Sequence, residues 1–180
     1  MEIRQSFPGG FLGGSAPCLR EFRLSNIPFL ALPTFLSSAS GLLELRLYDV
    51  PPAGYISPEA LLACMAVLPR LKYFAIEYQS PTPHPHRIHP PESPVVLLAL
   101  FSIEFTGSSE YLEDLISHID APRLNQFLLR YFDQPDFQAP QLSEFIDLTN
   151  LKLFKSSHAE VALLFSMTWS PSGVFIPTPT

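Results

Sequence analysis

Apolar residues recur along this chain in one phrase, Leu-x-x-(Leu/Phe/Ile)-x-(Leu/Ile/Phe). Five clean copies are present: Leu19-Phe22-Leu24, Leu42-Leu45-Leu47, Leu71-Phe74-Ile76, Leu100-Ile103-Phe105 and Leu124-Phe127-Leu129. In each copy the fourth and sixth positions are apolar and most of their neighbours are polar. This period of two predicts a β-strand with one buried face at every copy.

The spacing of the copies predicts the architecture. A sixth, degraded copy starts at Leu151 and continues with Phe154. The six copies start 23, 29, 29, 24 and 27 residues apart, close to the period of roughly 20–29 residues of leucine-rich repeats. We therefore predict an α/β fold: an irregular leucine-rich repeat solenoid of about five to six repeats. Its parallel sheet is expected on the concave face and its short helices on the convex face.

The same pattern divides the chain. Residues 1–18 precede the first copy as a lead-in, residues 19–165 form the repeat domain, and residues 166–180 are an irregular tail. Within the domain, residues 79–94 carry six prolines. Proline removes backbone donors and favours extended chain, so this stretch is predicted to be an insertion loop.

Helices are predicted between the strand phrases. Ser57 suits an N-cap and Pro58 the first helical position, while Ser109 is predicted to cap a second helix. A shorter helical piece is expected from Leu32 to Ser38. The apolar faces are Leu61, Leu62, Met65 and Leu68 after Ser57; Leu112, Leu115, Ile116 and Ile119 after Ser109; and Leu142, Phe145 and Ile146 after an entry at Pro140.

Composition narrows the class of protein. Hydrophobic residues make up 47% of the 180 residues and the mean hydropathy is +0.19, which fits apolar faces buried between stacked repeats. The net charge of −6 comes without a basic stripe, so no nucleic-acid partner is expected. The longest uncharged apolar stretch, 161–176, is too short to span a bilayer. Cys18 and Cys64 are predicted to be reduced, inert core residues. Together these features predict a cytoplasmic or nuclear protein that does not bind membranes.

Several longer phrases carry a family resemblance: GGFLGGSAP at 9–17, GYISPEA at 54–60, SEYLEDL at 109–115, IDAP at 119–122 and APQL at 139–142. They resemble the C-terminal leucine-rich region of F-box-type proteins from mushroom-forming fungi, over roughly residues 7–155. The resemblance implies a substrate-receptor arm, whose repeats hold a target for ubiquitination while an F-box docks on a Skp1-type adaptor. No F-box pattern occupies the 18 residues before Leu19, so adaptor binding is expected only of a longer form.

The polar strand positions provide the candidate binding residues. Positions three, five and seven of each copy should project from the concave face. The candidates for binding a protein partner there are Arg23, Arg46, Tyr48, Tyr73, Glu77, Glu104 and Arg130. Arginine and tyrosine often anchor interfaces. The change of sign from the two N-terminal arginines to the two glutamates predicts a target with complementary charges. Alternatively, these charges simply pair across neighbouring strands.

Other chemistry has less support. His84, His86 and His89 form the one possible metal cluster, but a proline- and histidine-rich insertion explains them without a metal. Ser109, His118 and Asp120 lack the glycine-flanked turn of a catalytic nucleophile. We therefore expect no catalytic residue, metal or cofactor. The leading interpretation is a non-catalytic interaction module, the substrate-binding arm of an F-box-type receptor. The alternative is a free-standing repeat scaffold or inhibitor without a ubiquitin connection, and an enzyme is a third.

Overall fold

The computed structural model describes residues 16–28, 31–80 and 94–132, together with the backbone of a strand at Glu160–Phe165. Six strands form one sheet in which all neighbours are parallel. In spatial order they are β1 (Glu21–Ser25), β2 (Glu44–Val50), β3 (Tyr73–Tyr78), β5 (Ser102–Gly107), β7 (Gln126–Tyr131) and β8 (Glu160–Phe165). Two short strands, β4 (Val95–Val96) and β6 (Ile119–Asp120), pair in a separate parallel sheet.

Helical segments connect the strands. They are α1 (Leu32–Leu36), a 3₁₀ turn at Pro52–Gly54, α2 (Pro58–Ala66) and α3 (Ser109–Ile116). Helix α1 packs on α2, and α2 packs on α3, so the helices form a row of their own. This arrangement confirms a mixed α/β fold built on a parallel sheet.

The repeated phrase forms the core. In the second to fifth copies, the first, fourth and sixth positions are each at most 2% exposed. The register aligns equivalent positions of successive copies: Phe22 with Leu45, Leu45 with Phe74, Phe74 with Ile103, and Ile103 with Phe127. Buried side chains of the three helices join the same apolar cluster. The helices therefore lie against one face of the sheet.

The five copies share one backbone geometry. In each, the N–H of the first leucine donates to the carbonyl three residues earlier, at 2.9–3.1 Å; the acceptors are Ala16, Ala39, Leu68, Leu97 and Ala121. The residue after that leucine then accepts from two N–H groups of the next copy, as Arg20 accepts from Leu43 and Glu44. This pattern recurs at Leu43, Lys72 and Phe101. Equivalent turns thus start the five strands β1, β2, β3, β5 and β7, whatever the length of the connection before each.

The helix predictions are confirmed in part. Ser57 caps α2, its Oγ accepting from the N–H of Ala60 at 3.3 Å, and the short piece after Leu32 is α1. The prediction for α3 is wrong at both ends. Ser108 is the N-cap, because its backbone is extended and Ser109 is already helical. Ile119 lies in β6, where pairing with Val95 removes it from the helix.

The sixth strand lies further along the chain than predicted. Strand β8 aligns Val161 with Phe127 and Leu163 with Leu129, so it occupies the fourth and sixth positions of a sixth copy. Its phrase has His158 where the others have their first leucine, so the leucine pattern does not include this copy. The predicted copy at 151–154, the helix after Pro140, the prolines at 81–91 and the tail at 166–180 lie outside the described residues.

Strand β2 contains a bulge. Leu47 is aligned with Ile76, but Val50 is aligned with Tyr78, so β2 has one more residue than β3 between these points. Asp49, in the bulge, has φ 50°, a left-handed conformation that aspartate tolerates better than most residues. A bulge of this kind redirects the side chains beside it.

The two cysteines differ in environment. Cys64 lies in α2 and is buried, and this burial raises the pKa of its thiol to about 11. Cys18 is exposed, so its prediction as a core residue is wrong. It comes just before the first repeated leucine, outside the alternating apolar positions that face the core.

Candidate functional site

The sheet has a second face, turned away from the helices, which we call the outer face. It carries the third, fifth and seventh positions of the copies, because alternate residues of a strand point to opposite sides. They form three rows: Glu21, Glu44, Tyr73, Ser102 and Gln126; Arg23, Arg46, Ala75, Glu104 and Leu128; Ser25, Tyr48, Glu77, Thr106 and Arg130. All seven sequence-predicted binding residues belong to these rows. The bulge interrupts the third row between Tyr48 and Glu77.

One buried carboxylate organises the N-terminal part of the outer face. Glu44 is 9% exposed. Its Oε1 lies 2.7 Å from Nη2 of Arg23 and 2.6 Å from Nε of Arg46. Arg23 also approaches Glu21, at 3.6 Å, but both of those side chains are more than half exposed. Glu44 is therefore the carboxylate that the two arginines share.

A second ion pair lies at the other end of the face. Arg130 Nη1 donates to Oε1 of Glu104 at 3.3 Å, between adjacent strands β7 and β5. The sequence left open whether these charges face a target or pair with each other. Arg23 pairs with Glu44, and Arg130 with Glu104, across neighbouring strands, as the second alternative predicts, whereas Arg46 pairs with Glu44 of its own strand.

Between the two ion-pair clusters, the outer face is indented by a groove of about 320 Å³. Side chains of the first two rows line it: Arg46, Tyr73, Ala75, Ser102, Glu104, Gln126 and Leu128. Ala75 is aligned with Arg46 on one side and Glu104 on the other. Since adjacent strands are about 4.8 Å apart, a methyl group stands between two long side chains. This difference in size creates the depression.

The groove combines opposite charges with an aromatic wall. Arg46 and Glu104, about 10 Å apart by strand spacing, supply a donor and an acceptor at opposite sides. Tyr73 is 39% exposed, and its ring packs edge-on against Phe101, with centroids 6.2 Å apart. Exposed aromatic rings beside polar groups are typical anchors of protein interfaces. The groove is thus suited to take a side chain or a short backbone segment of another protein.

The predicted residues divide into two groups. Arg46, Tyr73 and Glu104 line the groove, whereas Arg23, Tyr48, Glu77 and Arg130 lie on the same face outside it. The structure adds four lining side chains that the sequence placed in the rows but not among the candidates: Ala75, Ser102, Gln126 and Leu128. The sequence did contain one sign of the groove: a small residue, at position 75, lies between an arginine and a glutamate in its row.

Glu77 differs from the other glutamates of the rows. It is half-buried and has no ion pair or hydrogen bond among the described residues. Burial raises the pKa of its carboxyl, and the neighbouring Asp49 carboxylate raises that pKa further, although Arg130 opposes the shift. This environment therefore favours the protonated, uncharged form of the Glu77 carboxyl.

This environment predicts a pH-dependent effect of Glu77→Gln. The raised pKa means that the folded state holds the proton more tightly, so stability falls as pH rises above the unfolded value of about 4.3. Glutamine mimics the protonated form. We therefore expect the variant to be more stable than wild type at about pH 7 and equal to it near about pH 4. Urea unfolding followed by circular dichroism at several pH values measures this difference.

Glu110→Gln provides the matched control, because Glu110 is exposed in the first turn of α3. It should give no stability gain at neutral pH, since a negative charge there favours the helix. Equal stability of Glu77→Gln and wild type at neutral pH would contradict the environment described for Glu77.

Other candidate chemistry in the described region has a structural explanation. Nδ1 of His118 lies 2.9 Å from the carbonyl of Asp114 and 2.8 Å from Oγ of Ser117, at the end of α3. In residues 16–28, 31–80 and 94–132, no three His, Cys, Asp or Glu side chains are grouped to hold a metal ion. His84, His86 and His89 lie outside these ranges. No described helix is both long and apolar enough to cross a membrane.

Comparison with known proteins gives no relative: no family model, curated protein or solved structure matches this chain. A functional assignment therefore depends on the geometry of the outer face.

Proposed function

We propose that this chain is a non-catalytic protein-interaction module that binds a protein partner on its outer face, centred on the groove over Ala75. The groove carries this proposal. It lies in the middle of the sheet, and its lining supplies an arginine, a glutamate and an exposed tyrosine around a small residue. Such an anchor pocket with polar surroundings is a common arrangement in protein interfaces.

The repeat geometry supports a leucine-rich repeat solenoid as the framework of this module. The same turn hydrogen bond starts all five phrases, and the same pair of bonds joins successive copies. In a solenoid, the face opposite the helices is the concave face and serves as an extended binding surface. On this proposal the outer face is that concave face.

The resemblance to fungal F-box-type proteins suggests what the binding achieves. We propose that the partner is a target for ubiquitination and that a longer form of the chain binds a Skp1-type adaptor. Such a module works in the cytoplasm or nucleus. Co-precipitation of an F-box-containing longer form with the adaptor tests this part. If that form does not associate, the free-standing scaffold or inhibitor becomes the better proposal, with the same outer face as its binding surface.

Filling the groove should weaken partner binding without unfolding the protein. Ala75→Phe places a ring where the groove is, and an aromatic residue suits a strand. We expect partner binding to fall by about tenfold or more, the effect of losing one interface anchor. The measurement is quantitative capture of interacting proteins from cells that express the chain.

The matched control is Ala53→Phe, the same change at an exposed turn residue outside the sheet. Proteins retained by wild type and by Ala53→Phe, but lost with Ala75→Phe, are partners that need the groove. Unchanged capture by a folded Ala75→Phe protein would contradict the proposed function.

A further inference from the structure

Exposed apolar side chains are gathered at the end of the sheet where the strands begin, which we call the N-terminal end of the sheet. All of them come from residues 67–73 and 96–101, which surround the turns before two adjacent strands, β3 and β5. Single exposed apolar residues are normal on a protein surface, but a group of them marks an interaction site. Among the described residues, the large apolar side chains that are 37–61% exposed are Val67, Tyr73, Val96, Leu98 and Phe101.

An apolar turn lies between two basic turns at this end. The turns at 69–70, 98–99 and 122–123 precede β3, β5 and β7, and the same hydrogen bond closes each of them. The first and third read Pro-Arg and carry Arg70 and Arg123, whereas the middle one reads Leu98-Ala99. Because β5 lies between β3 and β7, Leu98, which is 61% exposed, is flanked by a basic turn on either side.

The cations beside these turns have no counter-charge in the described part of the chain. Arg70, Lys72 and Arg123 are exposed, and their side chains form no ion pair or hydrogen bond there. The carbonyl of Lys72 accepts from the N–H of Phe101 at 2.8 Å, so Lys72 belongs to the same surface. Asp120, three residues before Arg123, pairs with none of the three. In a chain of net charge −6, this surface is therefore suited to an acidic ligand.

The apolar group continues into the groove. Tyr73 lines the groove, and its ring packs against Phe101, with centroids 6.2 Å apart. Ser102, which follows Phe101 in the chain, also lines the groove. A ligand that leaves the groove past Tyr73 therefore meets Phe101 and then the turn that carries Leu98.

We propose that the partner bound in the groove has an acidic segment that extends across the N-terminal end of the sheet. An apolar side chain of this segment packs on Leu98 and Phe101, which removes exposed hydrocarbon from water. Its carboxylates lie beside Arg70 and Arg123 and supply their counter-charge. This inference rests on the proposed function, because it names the chemistry of the partner that the groove binds. An anionic membrane is less suitable, since the net negative charge opposes its approach and a bilayer does not enter the groove.

The test selects peptides from a displayed random library on the wild-type protein and measures their affinities by fluorescence anisotropy. We expect the enriched peptides to have aspartate or glutamate on both sides of an apolar residue. The double variant Arg70→Gln/Arg123→Gln should weaken them about tenfold, the combined effect of two exposed ion pairs. The matched control is Arg20→Gln, at an exposed arginine of the same end three strands from Leu98, which should change the affinity by less than about twofold.

Two further measurements identify the contacts. Leu98→Ser should weaken the peptides about tenfold and leave the melting temperature unchanged, because exposed side chains contribute little to stability. Added salt should weaken peptide binding to wild type more than to the double variant, since salt screens exposed charges. Replacing the peptide's acids by asparagine or glutamine should abolish the difference between wild type and the double variant, because both changes remove the same interaction.

The outcomes distinguish the two proposals. Peptides that are lost with Ala75→Phe but bind the double variant and Leu98→Ser as tightly as wild type overturn the acidic-segment inference and leave the proposed function standing. Peptides indifferent to all of these substitutions overturn both proposals, as does a selection that enriches no peptide. Co-sedimentation with phosphatidylserine vesicles that is lost in the double variant would assign this end of the sheet to a membrane and overturn the inference.

Discussion

Replacing Tyr111 with alanine should lower the free energy of unfolding by about 3–5 kcal/mol, the usual cost of removing a large buried aromatic side chain. Tyr111 is 1% exposed. Its ring packs against Tyr78 and Phe105, with centroids 5.2 and 5.7 Å away, and its hydroxyl donates to the carbonyl of Ile56 at 3.0 Å. Small domains have a total stability of only about 5–15 kcal/mol. Urea unfolding should therefore show a much lower midpoint.

Two companion variants test the reason for this loss. Tyr111→Phe keeps the ring and should cost only about 0.5–1.5 kcal/mol, because the carbonyl of Ile56 still accepts from Tyr78 at 3.1 Å. Val67→Ala, at a residue 40% exposed, should stay within about 0.5 kcal/mol of wild type. Equal stability of Tyr111→Ala and Val67→Ala would contradict the packing described for this cluster.

Glu44→Ala should cost about 2 kcal/mol, the second largest effect. It leaves Arg23 and Arg46 without their shared carboxylate. Removing one partner of a fully buried ion pair costs about 3–5 kcal/mol, whereas exposed pairs contribute about 0–1 kcal/mol. The side chain of Glu44 is 12% exposed and that of Arg46 is 32% exposed, so the expected value lies between these limits.

Glu21→Ala is the matched control for this prediction. Glu21 lies in the same row and approaches Arg23 at 3.6 Å, but its side chain is 64% exposed. Its loss should cost about 0–0.5 kcal/mol. The loss from Glu44→Ala should also persist at high salt, because screening acts mainly on exposed charges. Similar small effects of the two substitutions would show that Glu44 does not organise this end of the face.

The strands could be predicted from the sequence because alternation of apolar and polar residues is a local signal. It identified the buried positions of Leu45, Phe74 and Ile103, and the register follows once equivalent positions are aligned. The connections can vary in length because the same turn precedes each of the five strands that the repeated phrase forms. The copy at β8 was not predicted, because His158 stands at its first position. Its fourth and sixth positions are apolar, but the leucine that marks the other copies is absent.

Features that depend on contacts between copies could not be read from the sequence. The groove requires Arg46, Ala75 and Glu104, which come from three strands, to lie side by side. The bulge at Asp49 moves the next buried position from the eighth residue of the copy to the ninth, Val50, which lies beyond the six-residue phrase. Serines at positions 108 and 109 are equally good N-caps by residue type, and only the backbone decides between them.

Which charges of the outer face pair with each other could be seen only in the structure. Sequence showed Arg23 and Arg46 at one end of the face and two glutamates at the other, and a complementary target was a reasonable hypothesis. The structure pairs most of these charges internally through Glu44 and Glu104. Among the described residues, the groove between the pairs and Glu77, which has no ion pair there, remain. Both give sharper targets for mutation than the original row of charges.

Site-specific photo-crosslinking tests the central claim, that a protein partner binds the outer face, most directly. A photoreactive amino acid is placed at Ser102, which lines the groove, or at Glu110, which is exposed on α3. In cells that express the chain, the account predicts a discrete crosslinked protein from position 102 and none from position 110. Crosslinking only from position 110, equally from both, or from neither would contradict it.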